Sequence, residues 1–223
     1  MSHRQPGFTL VEIAIVLVIV GLLLGGVLKG QELINSARIR SLANDLSGTA
    51  AAVYAYQDRY ASLPGDDSGA SLRWGADVPS GDRGGTVGGE FCADPGSASE
   101  STNFWRHLRL SGLVAGDPAS SAQPQNALGG LIGVQTGTGP ATAIEIGGLV
   151  LCSTNLSGKI AEALDIRVDD GRPGTGSLRA YSQHKSAVAR GCPVNITRST
   201  ALSNADGYNV ADESEQYTVC KSI

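Results

Sequence analysis

An apolar segment near the start of the chain constrains the fold more than any other feature. The 21 residues from Phe8 to Leu28 contain a single charged side chain, that of Glu12. At about 1.5 Å per residue, a helix of this length spans the roughly 30 Å hydrocarbon core of a bilayer. An ionisable side chain inside such a segment costs about a few kcal/mol in lipid and indicates a functional site by default. The sequence therefore predicts a transmembrane helix in which Glu12 has a role.

The same helix is predicted to continue well beyond the apolar segment. No proline occurs between Pro6 and Pro64, and polar residues become frequent from Lys29 onward. Apolar side chains nevertheless recur every three or four residues, which is the spacing of one helix face. They are Ile39, Leu42, Leu46, Val53, Tyr56 and Tyr60, with Thr49 at the one missing step. We expect one helix over about 8–60, roughly 80 Å long. A coiled coil is the weaker alternative, because one step is missing and no second such helix follows.

A strong turn signal ends this helix. Leu63-Pro64-Gly65-Asp66-Asp67 combines a Pro-Gly pair with two acids, and the residues from 67 to 96 are rich in Gly, Asp and Ser. We expect an irregular connection there. It is not a phosphate-binding loop, since no Gly-Lys-Ser/Thr follows the glycines. The stretch 118–140 has low complexity and is predicted to lie on the surface.

The remaining segments predict short helices and strands. Ser101 or Thr102 is suited to cap a helix that ends at Gly112. Ser157 is suited to cap a second helix over 159–165. Strands are expected at 142–146 and 149–152, as a hairpin about Gly147-Gly148, and at 177–181 and 217–221. The expected fold class is α+β, with the long N-terminal helix packed on a small, mainly antiparallel sheet with long loops.

Charge and motifs disfavour several functional classes. The net charge is −4 with a pI of about 5.3, and no basic tract follows the first helix, so there is no strong nucleic-acid signal. A local basic patch of Arg38, Arg40 and Arg59 stays open. No G-x-S-x-G or other nucleophile motif accompanies the three histidines. We therefore expect no enzyme and no cofactor.

Aspartate pairs offer the only metal chemistry that the sequence suggests. Calcium takes carboxylate and carbonyl oxygens, and Asp66/Asp67 and Asp169/Asp170 are candidate ligands. Neither pair has the spacing of an EF-hand, so solvated turns are the favoured interpretation and no metal is expected.

Four cysteines follow the apolar helix: Cys92, Cys152, Cys192 and Cys220. An even number in an exported domain indicates two disulfides, and four cysteines allow three connectivities. No pair has C-x-x-C spacing, which disfavours a zinc site.

The N-terminus resembles a known family. A short basic leader ending in Gly7, followed by Phe-Thr-Leu-Val-Glu and an apolar helix, is similar to the signature of type IV pilins and type II secretion pseudopilins. The likeness runs from Gln5 to about Arg59, and it is looser at residues 63–66 and 168–171, which look like turns of longer pilin-like proteins. An ordinary secretory signal is the alternative, but such a signal is cut after its apolar region, at a small-residue site.

The resemblance implies how the chain is processed and divided. A membrane-embedded prepilin peptidase/methyltransferase would cut after Gly7 and methylate Phe8, and Glu12 would act in assembly. The implied parts are a leader (1–7), a transmembrane or filament-core half of the helix (8–28), an amphipathic half (29–62) and a pilin-like globular head (63–223). Pilin-like heads often cross-link their C-terminal region, which implies Cys192–Cys220 and leaves Cys92–Cys152.

The implied function is that of a filament subunit. It would be made as a single-pass precursor in the bacterial inner membrane and assembled, with a pilus assembly platform, into an extracellular or periplasmic filament of self-associating pilins. A major pilin, a minor pilin and a secretion pseudopilin all fit. A membrane-anchored binding or enzymatic ectodomain is the alternative from a different class.

Overall fold

The computed structural model describes residues 9–136, 146–183, 188–189, 192–193, 207–212 and 214–223. Helix α1, Leu10–Tyr60, is a single 51-residue helix, as the unbroken periodicity and the absence of proline predict. The chain divides into two compact units, one ending at Arg38 and the other comprising Ile39–Ile223.

The apolar side chains in the first unit are exposed throughout. Leu10 is 91% exposed and Leu28 67%, and those between them are similarly open. Among the described residues, α1 is the one helix long and apolar enough to cross a membrane, by its length and composition. Within the described residues, this apolar surface is therefore left open.

Within the second unit, α1 buries the predicted stripe. Leu42, Leu46, Val53 and Tyr56 are at most 2% exposed, and Thr49 fills the missing step at 8%. Ile39 and Tyr60 are partly buried against the same core. Their spacing therefore predicted the buried face correctly.

The second unit contains three further helices and six strands in the described part of the chain. The helices are α2 (Ala70–Trp74), α3 (Glu100–Leu110) and α4 (Gly158–Val168). The strands are β1 (Ile132–Thr136), β2 (Leu149–Ser157), β3 (Leu178–Gln183), β4 (Val188–Ala189), β5 (Cys192–Pro193) and β6 (Gln216–Ser222). Strands β1-β2-β6-β3 form one antiparallel sheet in that order, and β4 pairs with β5. The α+β prediction of a long helix with a small antiparallel sheet is confirmed.

Both faces of the larger sheet are covered. Successive side chains of a strand point to opposite faces. Leu149 and Leu151 of β2 join the main core with α1, α3 and α4, whereas Val150 and Cys152 join a smaller cluster with Phe91. The segment before α3 thus covers the second face.

Strand β1 corrects the sequence prediction for 118–140, which was expected to be surface. Ile132 and Val134 are buried in the main core. Gly133 lowers the strand propensity of this segment, but a Cβ there would overlap the carbonyl of Phe91. The glycine is required by that close backbone approach rather than by a loop.

Other element predictions fare differently. Helix α2 lies within 67–96, where an irregular connection was expected. Helix α3 begins after Ser99, not after Ser101 or Thr102, while Ser157 does hold the N-cap position of α4. Of the strand predicted at 142–146, residues 142–145 lie outside the described part. Strands β2, β3 and β6 contain or overlap the other predicted strands.

The predicted disulfide connectivity is wrong. Cys152 bonds Cys220, so neither Cys192–Cys220 nor Cys92–Cys152 forms. The register explains the pairing, because Cys152 of β2 lies directly opposite Cys220 of β6. The structure describes this one disulfide where two were predicted. Cys92 is also disulfide-bonded, and the side chain of Cys192 lies outside the described residues.

Candidate functional site at the N-terminal helix

The start of α1 is a helix cap built from two side chains. Thr9 precedes the first helical residue, and Glu12 is the third residue inside the helix. One carboxylate oxygen of Glu12, Oε2, accepts hydrogen bonds from the backbone N–H and the hydroxyl of Thr9, both at 2.8 Å. The Glu12 backbone N–H donates to Thr9 Oγ1 at 3.3 Å. This reciprocal arrangement is a capping box, which satisfies N–H groups that the first helical turn leaves without partners.

Sequence reasoning singled out Glu12 but missed Thr9. The signal was present, since Thr9-Leu10-Val11-Glu12 has the T-x-x-E spacing of a capping box ahead of an apolar run. Thr9 therefore joins Glu12 as a residue of this site.

The cap changes how the acid is accommodated beside an apolar surface. A carboxylate without partners is expensive outside water, and hydrogen bonds to its charged form reduce that cost. A negative charge in the first turn also interacts favourably with the helix dipole. Gly7 and Phe8, the predicted cleavage junction, lie outside the described residues. In the sequence they come directly before Thr9, so an amino group released there would be close to the capped carboxylate along the chain.

The acidic turns are organised by hydrogen bonds within the second unit. Asp66 is 2% exposed, and its two carboxylate oxygens accept from the backbone N–H groups of Gly84 and Gly85 at 2.9 and 2.8 Å. Its carboxylate lies near those of Asp82 and Glu100. The aspartates thus order the glycine-rich connection that the sequence presented only as irregular.

Asp67 belongs to a different cluster from its neighbour. Its carboxylate accepts from the Tyr56 hydroxyl at 2.6 Å and from the Gly69 N–H at 2.9 Å, and it forms an ion pair with Arg73. Burial opposes ionisation of Asp67, but these partners outweigh burial and lower its pKa. The aspartate therefore ties the end of α1 to the α2 segment as a carboxylate.

Asp169 and Asp170 lie beside a third acid, Asp165 of α4. Asp165 is fully buried, and burial raises its pKa although Tyr208 donates a 2.6 Å hydrogen bond to it. Asp169 accepts from the backbone of Leu178, and Asp170 from Thr175. Hydrogen bonds within the protein thus engage the acids of both turns. The expectation that these turns bind no metal stays a prediction.

Comparison with known protein families gives a match that falls on this site. Residues 2–28 match the family described as the prokaryotic N-terminal methylation motif. No curated protein and no solved structure matches the chain. The matched range contains the predicted cleavage junction, the Thr9–Glu12 cap and the exposed apolar half of α1. Residues 2–28 thus carry the N-terminal signature of type IV pilins and pseudopilins.

Proposed function

We propose that the chain is a structural subunit of a type IV pilus or a pilus-like filament. Cleavage after Gly7 by a prepilin peptidase releases the N-terminus at Phe8, which is then methylated. The supporting observation is that the methylation motif coincides with a helix whose apolar surface is open along its whole first half. Such a surface is stable in a membrane before assembly and among other helices afterwards.

In this proposal Glu12 fixes the register between subunits. A carboxylate packed among apolar helices penalises any arrangement that leaves its charge without a partner. The methylated amino group at Phe8, of the same or a neighbouring subunit, supplies a cation. Thr9 holds the carboxylate in place until that partner arrives.

We infer the cellular setting from the same features. The precursor is a single-pass protein of the bacterial inner membrane, and an assembly platform extracts it into an extracellular or periplasmic filament. No step requires the chain to catalyse a reaction, since it is the substrate of the processing enzyme. The major pilin, minor pilin and secretion pseudopilin roles share every feature given so far.

Imaging of fibres tests this proposal against an anchored binding ectodomain. Fibres sheared from cells that make the chain are expected to contain it, as detected by immunogold labelling and mass spectrometry. Loss of all fibres on deletion indicates a major subunit, and fewer fibres or altered adhesion indicates a minor one. A chain that stays in the membrane fraction while fibres remain normal and lack it contradicts the proposal.

A further inference from the structure

A buried histidine joins three segments of the second unit. His107 of α3 is fully buried, and both of its ring nitrogens meet backbone groups. Nδ1 accepts from the N–H of Gly65 at 2.9 Å, and Nε2 lies 2.9 Å from the carbonyl oxygen of Pro79. A carbonyl only accepts and an N–H only donates, so Nε2 carries the proton and Nδ1 carries none. The geometry therefore requires a neutral imidazole in one tautomer.

Gly65 is held against α3 by more than this hydrogen bond. Its φ of +87° lies in the left-handed region, and a Cβ would overlap the carbonyl oxygen of Glu100 in the first turn of α3. The turn that ends α1 thus rests directly on α3. We call Gly65, Pro79 and His107 the histidine latch. Through these residues, α3 is joined both to the turn that ends α1 and to the segment that follows α2.

The surroundings of the imidazole also favour its neutral form. Burial lowers the pKa of His107, and Arg73 and Arg106 act in the same direction. The Pro79 hydrogen bond and the Asp67 carboxylate oppose this lowering without reversing it. The ring of Tyr56 lies parallel to the imidazole at 6.4 Å, and Asp77 pairs with Arg106 on the outer side.

We propose that the histidine latch is an acid-sensitive device that releases the turn after α1 from α3. A proton added to Nδ1 would face the N–H of Gly65, so that two donors oppose each other with no acceptor between them. The hydrogen bond is then lost, and the ring no longer holds the turn. The segment from Pro64 to Gly81 opens first, while the sheet keeps the Cys152–Cys220 disulfide that joins β2 and β6.

The direction of the pH dependence follows from proton linkage. In the closed state, in which the histidine latch is formed, His107 binds a proton less readily than in the open state, in which the latch is released. In the open state the pKa of the histidine is near its ordinary value of about 6.5. Closure is therefore complete above about pH 6.5 and weakens below it, by at most about tenfold in the closing equilibrium per pH unit.

Other buried acids do not reproduce this behaviour. Asp67 has a lowered pKa, so its contribution is lost only below the ordinary aspartate range near about 4. Asp165 has a raised pKa, and its protonation on acidification favours the folded state instead. Among these three groups, only His107 would destabilise the closed state as the pH falls from about 6.5 to 5.

Histidine NMR on the full chain in detergent micelles measures the tautomer and protonation state of His107 directly. With only His3, His107 and His184 in the sequence, selective ¹⁵N labelling gives three ring systems, and His107→Gln identifies the relevant one. We expect the Nε2-protonated neutral tautomer at pH 7 and protonation only as the Gly65 amide loses its protection from hydrogen exchange. A charged ring or the other tautomer at pH 7 would overturn the proposal.

A variant pair extends the test to the pH profile. His107→Gln keeps one acceptor and one donor at similar spacing but does not titrate, and His184→Gln is the matched control. We expect the opening constant of the Gly65 amide, taken as its exchange rate divided by the intrinsic rate at each pH, to rise with acid in the wild type and in His184→Gln. In His107→Gln we expect this constant to stay flat over the same range. If opening rises equally in His107→Gln, or if the rise disappears in His184→Gln, the pH dependence does not come from His107 and the proposal is overturned. If His107→Gln does not fold, the wild-type tautomer and titration decide the question alone.

Discussion

Glu12 combines a local role with a proposed role between subunits. Its carboxylate completes a capping box with Thr9, and this role requires an acceptor rather than a charge. Glutamine also serves at this position of a capping box. The proposed pairing with an amino group at Phe8, by contrast, requires the negative charge. The two roles can therefore be separated by substitution.

Glu12→Ala and Glu12→Gln are both expected to leave cleavage after Gly7 largely intact and to impair filament assembly. Both lack the charge that fixes register, while Gln retains the cap and serves as the matched control. Immunoblots for the processed form and electron microscopy of sheared fibres measure the two steps. Normal filaments from Glu12→Gln would reduce the role of this residue to helix capping, and normal filaments from Glu12→Ala would remove the register argument.

Tyr56→Phe is expected to lower the free energy of unfolding by about 1 kcal/mol, because a buried acceptor on Asp67 loses one of its donors. Tyr56 contributes to the lowered pKa of Asp67, so the destabilisation is full above about pH 4 and shrinks as the pH falls further. Chemical unfolding at several pH values in detergent gives this profile.

Tyr54→Phe is the matched control for that substitution. Tyr54 lies on the same helix, and its side chain is 57% exposed. Removing its hydroxyl is expected to change the free energy of unfolding very little. An equal cost at the two positions would mean that the Tyr56–Asp67 hydrogen bond has no special share in stability.

At the scale of elements, periodicity was the reliable guide. The stripe of α1 was predictable because a helix face repeats every three or four residues, whatever covers it. Strand β1 was not, because Gly133 is determined by the distant backbone of Phe91. The cysteine pairing could not be predicted for the same reason, because Cys152 and Cys220 are brought together only by the strand order β1-β2-β6-β3. Elements that depend on local residue spacing could be predicted from the sequence, whereas contacts that depend on the strand topology could not.

The turn between α1 and α2 gives a prediction at this scale. Gly65→Ala is expected to destabilise the protein by more than about 1 kcal/mol, because it adds left-handed strain and a clash with α3. Gly147→Ala is the control, since Gly147 has open space around it and no left-handed φ. Thermal unfolding of the two variants in the same detergent provides the comparison, and equal melting temperatures would contradict the packing of this turn on α3.

For the whole molecule, the Cys152–Cys220 disulfide joins two central strands that are 68 residues apart in sequence. Removing a native disulfide from a small exported domain typically costs about 2–5 kcal/mol. The Cys152→Ala/Cys220→Ala double variant is expected to lose stability in this range in denaturant unfolding. An unchanged unfolding midpoint, with Cys152 and Cys220 shown to be bonded in the wild type, would mean that this disulfide does not stabilise the fold.

The two compact units indicate a division of tasks in the proposed filament. The unit ending at Arg38 presents an apolar surface that nothing in the described chain covers, and Ile39–Ile223 carries its own core. A chain with this division is suited to assemble through its first unit and to present its second. Assembly of this kind requires that the N-terminus is processed as the methylation motif implies.

The mature N-terminus is therefore the most direct measurement. Mass spectrometry of the N-terminal peptide, on protein isolated from fibres or membranes of the producing cells, defines where the chain begins. We expect a chain that starts at Phe8 and bears one added methyl group on its amino nitrogen. Functional protein that retains Met1 or Ser2 would contradict it.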